Sequence, residues 1–98
     1  MVQDIKTAIG LTIYKGGYEG AQWSITGNPK AEVIGHEYES AYDFEEAVKR
    51  NVNCSGITFD SEYCQFWAYA KTKARLVSFA KQIEKHFLKA KELKEKMY

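Results

Sequence analysis

Ninety-eight residues, 45% hydrophobic and 14% aromatic, are enough for one compact domain whose core needs neither metal nor disulfide, and too few for two. Two cysteines do not make a secreted disulfide framework, the start "MVQDIKTAIG" lacks the order of a signal peptide, and no apolar run reaches the roughly 18 residues of a membrane span, so a cytoplasmic chain with no membrane partner is expected. The formal net charge of +1 hides a segregation: up to Ala70 five basic residues face ten acidic ones, about −5, whereas from Lys71 onward nine face three, about +6.

The chain opens with two alternating stretches. In "AIGLTIY", residues 8–14, Ile9, Leu11 and Ile13 share a face, and in "AQWSIT", residues 21–26, Ala21, Trp23 and Ile25 do the same, which predicts a hairpin closed by the loop "KGGYEG". Glycines in such a loop bring a phosphate cradle to mind, but those cradles feed a helix N-terminus and this one joins two strands; exposed Tyr18 at its tip is a candidate partner contact. "GNPKA" then turns the chain into an expected third strand near 31–38, with Ile34, His36 and Tyr38 on one face. Ser40 followed by Asp43 at the fourth position, with Phe44, Ala47 and Val48 at helical spacing, predicts a short helix over 41–50. "NVNCSG" ends it.

The stretch "GITFDSEYCQFWAYAKTK", residues 56–73, reads as a second hairpin with Ser61 and Glu62 at its tip, pairing Phe59 with Cys64 and Ile57 with Phe66. That register places Ile57, Phe59, Cys64, Phe66, Ala68 and Ala70 on one face and Tyr63, Trp67 and Tyr69 on the other. A three-residue loop would move the second set beside Ile57 and Phe59, so the pattern leaves open which face is core. Thr72 is the expected N-cap of a long amphipathic helix whose stripe runs through Leu76, Ala80, Ile83, Phe87, Ala90, Leu93 or Lys94, and Met97. About 25 residues at 1.5 Å each exceed the ~26 Å diameter of a hundred-residue domain, so the last turns are expected to overhang, fray or dock on another chain. The fold class is α+β: a three-stranded antiparallel meander, a short helix, a second β-hairpin and a long C-terminal amphipathic helix packed on the sheet.

The chemistry-bearing residues do not assemble a familiar centre. Cys54 and Cys64 are separated by nine residues with no histidine near either, unlike structural zinc spacings, and the hairpin register keeps their thiols apart; both are expected free and buried as small hydrophobes. Asp60 and Glu62 straddle a turn without an opposing partner that would separate their pKa values. "GHEYES" lacks the second histidine of a zinc-protease helix, and His86 lies among lysines on a helix. A small hydrolase using Asp60, Glu62 or His36 is therefore the least favoured reading; no catalytic residue, cofactor or metal is expected.

What remains is surface. The favoured expectation is a small non-enzymatic protein-interaction module, of the character of a phage- or plasmid-encoded inhibitor or accessory protein such as an anti-CRISPR or antirestriction factor. It would bind a host protein through the aromatics Tyr63, Trp67 and Tyr69 and the acids Glu37, Glu39, Glu45, Glu46, Asp60 and Glu62, because carboxylates can meet lysines and arginines built for phosphate. The alternative is a nucleic-acid-binding module using Lys71, Lys73, Arg75, Lys81, Lys85 and Lys89 with the aromatic hairpin. Self-association through the C-terminal helix is a further expectation, one molecule's basic helix meeting another's acidic sheet.

Overall fold

A computed structural model describes residues 4–16 and 23–96, with the side chains of residues 90–96 outside the description. Strands β1 (Ile5–Lys6), β2 (Leu11–Lys15) and β3 (Trp23–Gly27) are followed by a one-turn helix α1 (Ala31–Ile34) and by α2 (Ala41–Asn51). Strands β4 (Thr58–Phe59) and β5 (Phe66–Ala70) and the long helix α3 (Lys73–Lys96) complete the chain. All strand pairings are antiparallel, in the order β1-β2-β3-β5-β4, so the α+β class, the three-stranded meander and the long helix on the sheet are all present.

Alternation decides which face of the sheet meets the helices. Ile13, Ile25, Ala68 and Phe59 stand in one row across four strands and belong to the core with Leu11, Phe66 and Ala70. The helices close that face alone: Ile34 from α1, Phe44, Ala47 and Val48 from α2, and Leu76, Phe79, Ala80, Ile83 and Phe87 from α3 are all buried. Phe79, fully buried, extends the helix stripe beyond the periodicity read from sequence. At β2–β3 the backbones approach so closely that a Cβ on Gly27 would lie 2.5 Å from the Gly10 carbonyl oxygen, and Gly27 has φ +142°, a conformation L side chains avoid.

The caps follow local chemistry. Ser40 Oγ accepts from the Asp43 N–H at 3.3 Å, and Lys49 and Arg50 lie in the last turn of α2, where cations complement the helix dipole. Thr72 Oγ1 accepts from the Arg75 N–H at 3.2 Å and starts α3 as expected. Arg75 also donates to the carbonyls of Ser55 (2.7 Å) and Asn53 (2.7 Å), pinning the β4 approach to the first turn of α3.

Three expectations are corrected. The third strand near 31–38 is instead α1 and a loop: Gly35 takes the left-handed conformation (φ 75°) and its N–H bonds the Ala31 carbonyl at 2.7 Å, closing a helical turn. The third meander strand is the N-terminal β1, whose Ile5 stands opposite Ile13. The second hairpin turns at Tyr63–Cys64, with Glu62 bridged to Gln65, so that Phe59 faces Ala68 and Thr58 faces Tyr69. Pairing thus shifts by four residues with unchanged face parity, which sets the bulky Phe59 against a small alanine and frees Phe66 to pack on Phe44, ring centroids 5.0 Å apart. Cys64 consequently sits in the exposed turn and is no core residue, while Cys54 is half-buried against the core; both thiols are free. The loop residues Tyr18 and Ala21 lie outside the described residues, as do the side chains of Ala90, Leu93 and Met97.

Phe66→Ala should cost about 3–5 kcal/mol of unfolding free energy and Gly27→Ala about 1–3 kcal/mol, read from denaturant midpoints at unchanged slope. A loss below about 0.5 kcal/mol in either would contradict the packing described.

Candidate docking surface

The residues singled out in the sequence fall on three regions. The first is one end of the molecule, where the β4–β5 turn meets the start of α2. There the Ala41 N–H donates to the Tyr63 carbonyl at 2.8 Å, and the Asn28 side-chain amide donates to the Cys64 carbonyl at 2.5 Å. These bonds hold the turn against the α1–α2 segment and leave a groove of about 380 Å³ between them, lined by Glu32, Glu37, Tyr38, Glu39, Phe44, Tyr63 and Cys64 among others. Tyr63 is 57% exposed and Tyr42, next to Ala41, 48%, the two large exposed hydrophobics among the described residues. Glu37, Glu39 and Glu62 are exposed.

The loop carrying Glu37 and Glu39 is anchored through Tyr38. Its ring packs edge-on against His36 (4.5 Å between centroids), Phe44 (5.5 Å) and Phe87 (6.4 Å), so flanking side chains are directed outward from a fixed point. Burial pushes the Tyr38 phenol pKa above the ordinary 10.0, an effect opposed by the positive charge of Arg50. Glu45 and Glu46 are engaged with Lys49 on α2 at 3.2 and 3.8 Å, and the Glu45 side chain is only 13% exposed. Glu45 thus supports the helix surface more than it presents charge, whereas the Glu46 side chain stays exposed.

The second region is the sheet face turned away from the helices. Trp67 is half-buried and Tyr69 buried, so of the three aromatics expected to face outward Tyr63 is the exposed one. The Tyr69 hydroxyl lies 3.4 Å from Asp60 Oδ2, and the Trp67 ring is tilted against Tyr69 with centroids 6.3 Å apart. The indole N–H of Trp67 is buried and meets no acceptor among the described residues. Gln65 donates to Thr26 Oγ1 at 2.6 Å across the same face, so hydroxyl and amide groups tie these strands together.

The third region is the outer side of α3. Lys81, Lys85 and Lys89 follow at four-residue steps and are exposed, with Lys71 and Lys73 near the start. Lys73 lies over the Trp23 ring at 5.7 Å, and Arg75 is occupied by the two carbonyls already named, so the basic stripe is shorter than its sequence. His86 packs edge-on against Phe87 at 4.9 Å. Among the described residues no three His, Cys, Asp or Glu side chains come together as metal ligands, and no helix is long and apolar enough to cross a membrane. No family model matches the chain, and no curated protein or solved structure matches it either.

Sequence reasoning missed Tyr42 as a surface residue and Glu32 as part of the groove. The signal for both was the segment 28–41: Pro29 and Gly35 bracket a single helical turn, and an N-cap at Ser40 places residue 42 on the first turn of α2.

Two outcomes follow. Burial raises the Cys54 thiol pKa against the opposing charges of Arg75 and Lys49, whereas Cys64 is exposed, so at pH 7.5 a maleimide or disulfide reagent should modify Cys64 several-fold faster than Cys54, as read by peptide mass mapping. For Tyr38 the folded phenol holds its proton more tightly than the unfolded one; its stabilisation is complete below the unfolded value near 10 and is lost as pH rises through the folded value. Tyr38→Phe should therefore flatten the loss of stability above about pH 10 in urea titrations, and an unchanged slope would contradict the burial.

Proposed function

We propose that this chain is a non-enzymatic interaction module that holds a basic protein partner at the groove end, with Tyr63 and Tyr42 as aromatic anchors and Glu37, Glu39 and Glu62 as charged surround. The observation that carries the reading is the exposure of Tyr63 at 57% on a turn fixed by backbone hydrogen bonds beside glutamate-lined space. Rigid, exposed tyrosines give large contact area at low entropic cost, and ordered carboxylates around them favour partners rich in lysine and arginine. A role as an inhibitor or accessory protein of the anti-CRISPR or antirestriction kind fits that chemistry, since an acidic groove can occupy a site shaped for phosphate. The nucleic-acid reading is weaker: Arg75 is consumed by Asn53 and Ser55, Lys73 lies over Trp23, and Lys49 sits over Phe59 at 5.0 Å.

Capture from the native host, followed by affinity measurement on the purified partner, tests the proposal. Tyr63→Ala and the pair Glu37→Lys with Glu39→Lys should each weaken binding at least about tenfold while circular dichroism stays unchanged. Unaltered affinity in both sets would sink it. So would tight binding of a labelled oligonucleotide that falls steeply between about 50 and 200 mM salt.

A further inference from the structure

Helix α3 turns Leu76, Phe79, Ala80, Ile83 and Phe87 to the core, and the side opposite them is more than a solvated face. Ala74, Ser78, Lys81, Lys85 and Leu88 recur there at alternating four- and three-residue steps, the spacing by which one helix presents a seam to another. Ala74 and Ser78 are exposed, and Val77 and Leu88 are half-buried. Two shallow clefts run along this seam: one of about 780 Å³ between Lys73 and Lys85, floored by Ala74, Val77 and Ser78, and one of about 470 Å³ between Lys81 and Lys89 beside Leu88. They share Lys81 and Lys85, so the strip is continuous from Lys73 to Lys89, about 24 Å at 1.5 Å per residue. A third cleft, of about 310 Å³, sets Lys85 and Lys89 against Asn51 and Val52 at the end of α2.

Lys81, Lys85 and Lys89 are exposed and, among the described residues, form no ion pair, whereas Lys49 holds both Glu45 and Glu46. Glu84, the acid in the second cleft, accepts from the Ala8 N–H at 3.1 Å. An occupant must therefore bring negative charge, and the floor decides which kind. Among the described residues no ring lines either cleft, so single-stranded bases find no stacking platform, and the largely apolar floor between the lysines gives a phosphate backbone no partner. Ala74, Val77 and Leu88 offer too little apolar surface to enter a bilayer once the large residues of α3 are in the core. A second α3 would set lysine on lysine. A helix with small apolar residues along one edge and carboxylates beside them satisfies floor and charge together: Ala74 and Ser78 let its backbone come close, and carboxylates at four-residue steps meet Lys81, Lys85 and Lys89.

We propose that the outer side of α3 from Lys73 to Lys89 binds an acidic amphipathic helix of a protein partner, its small apolar side chains on Ala74, Val77 and Ser78 and its carboxylates against Lys81, Lys85 and Lys89. This surface shares no lining residue with the groove beside Tyr63, so a basic partner there and an acidic helix here occupy different parts of the molecule, and each reading stands or falls separately.

The probe is a synthetic peptide of about three heptads with alanine and leucine at the first and fourth positions and glutamate flanking them. Titrated into the isotopically labelled full chain at about 50 mM salt, it should bind with a Kd below about 100 μM and move amide shifts within residues 73–89 while leaving 36–42 and 62–65 in place. A peptide of the same composition with its leucines and alanines spread around the helix should bind at least about tenfold more weakly, which separates the seam from bulk charge. Lys81→Glu with Lys85→Glu should weaken the first peptide at least about tenfold with circular dichroism unchanged; if that pair fails to fold, Lys81→Gln with Lys85→Gln should still weaken it several-fold. Equal binding of both peptides, affinity indifferent to the lysine variants, or no binding would overturn the proposal. So would tighter binding of a single-stranded oligonucleotide or of phosphatidylserine vesicles through the same lysines, or self-association of the chain through this side of α3.

Discussion

The placement of the candidate surface depends on one aromatic cluster. Phe44 of α2, Phe66 of β5 and Phe87 of α3 meet edge-on or tilted with centroids 5.0–5.2 Å apart, and Tyr38 joins them from the α1–α2 loop. Each such pair contributes about 0.5–1.5 kcal/mol beyond its burial. More important than the sum is what the rings connect: a helix, a sheet strand, a second helix and the loop that carries Glu37 and Glu39. Without Tyr38 seated among the phenylalanines, those glutamates would hang from a loop with no fixed direction. With it, and with the Ala41–Tyr63 backbone bond, the acidic loop and the exposed tyrosine have a defined spacing.

The one-sided sheet has a second consequence. Because all three helices bury the same face, α3 turns its large apolar side chains to the core and its lysines away from it. The far face of the sheet is covered more by hydroxyl and amide cross-links than by exposed rings, as the burial of Tyr69 and the Gln65–Thr26 bond indicate.

Much of this was legible in the residues. Alternation in Leu11–Ile13 and Trp23–Ile25 and helical spacing from Phe44 to Val48 and from Leu76 to Phe87 mark elements because burial imposes the periods of the backbone itself. Ser40 and Thr72 announce helix starts because a hydroxyl satisfies an amide the helix leaves open. The hairpin register was not legible, since two-residue turns at Ser61–Glu62 and at Tyr63–Cys64 preserve the same face parity and differ only in whether Phe59 meets a cysteine or an alanine. In the observed register Phe59 packs on Phe66 and on Phe79, which is twenty residues away in sequence. The segment 31–38 read as a strand because Ile34, His36 and Tyr38 fall at alternate positions, yet Ala31 and Val33 break that alternation and Gly35 stops a helical turn at negligible cost. For the candidate site, residue types were readable but exposure was not: Glu45 and Tyr69 are withdrawn by neighbours that sequence does not place beside them.

The central claim is that the pole bearing Tyr63, Glu37 and Glu39 is where this molecule meets other proteins. Amide chemical shifts of the isotopically labelled chain, titrated at low salt with a lysine-rich peptide, probe it without any substitution. The account predicts shifts confined to residues 36–42 and 62–65. Shifts centred on Trp67 and Thr26, or none at any peptide concentration, would contradict it.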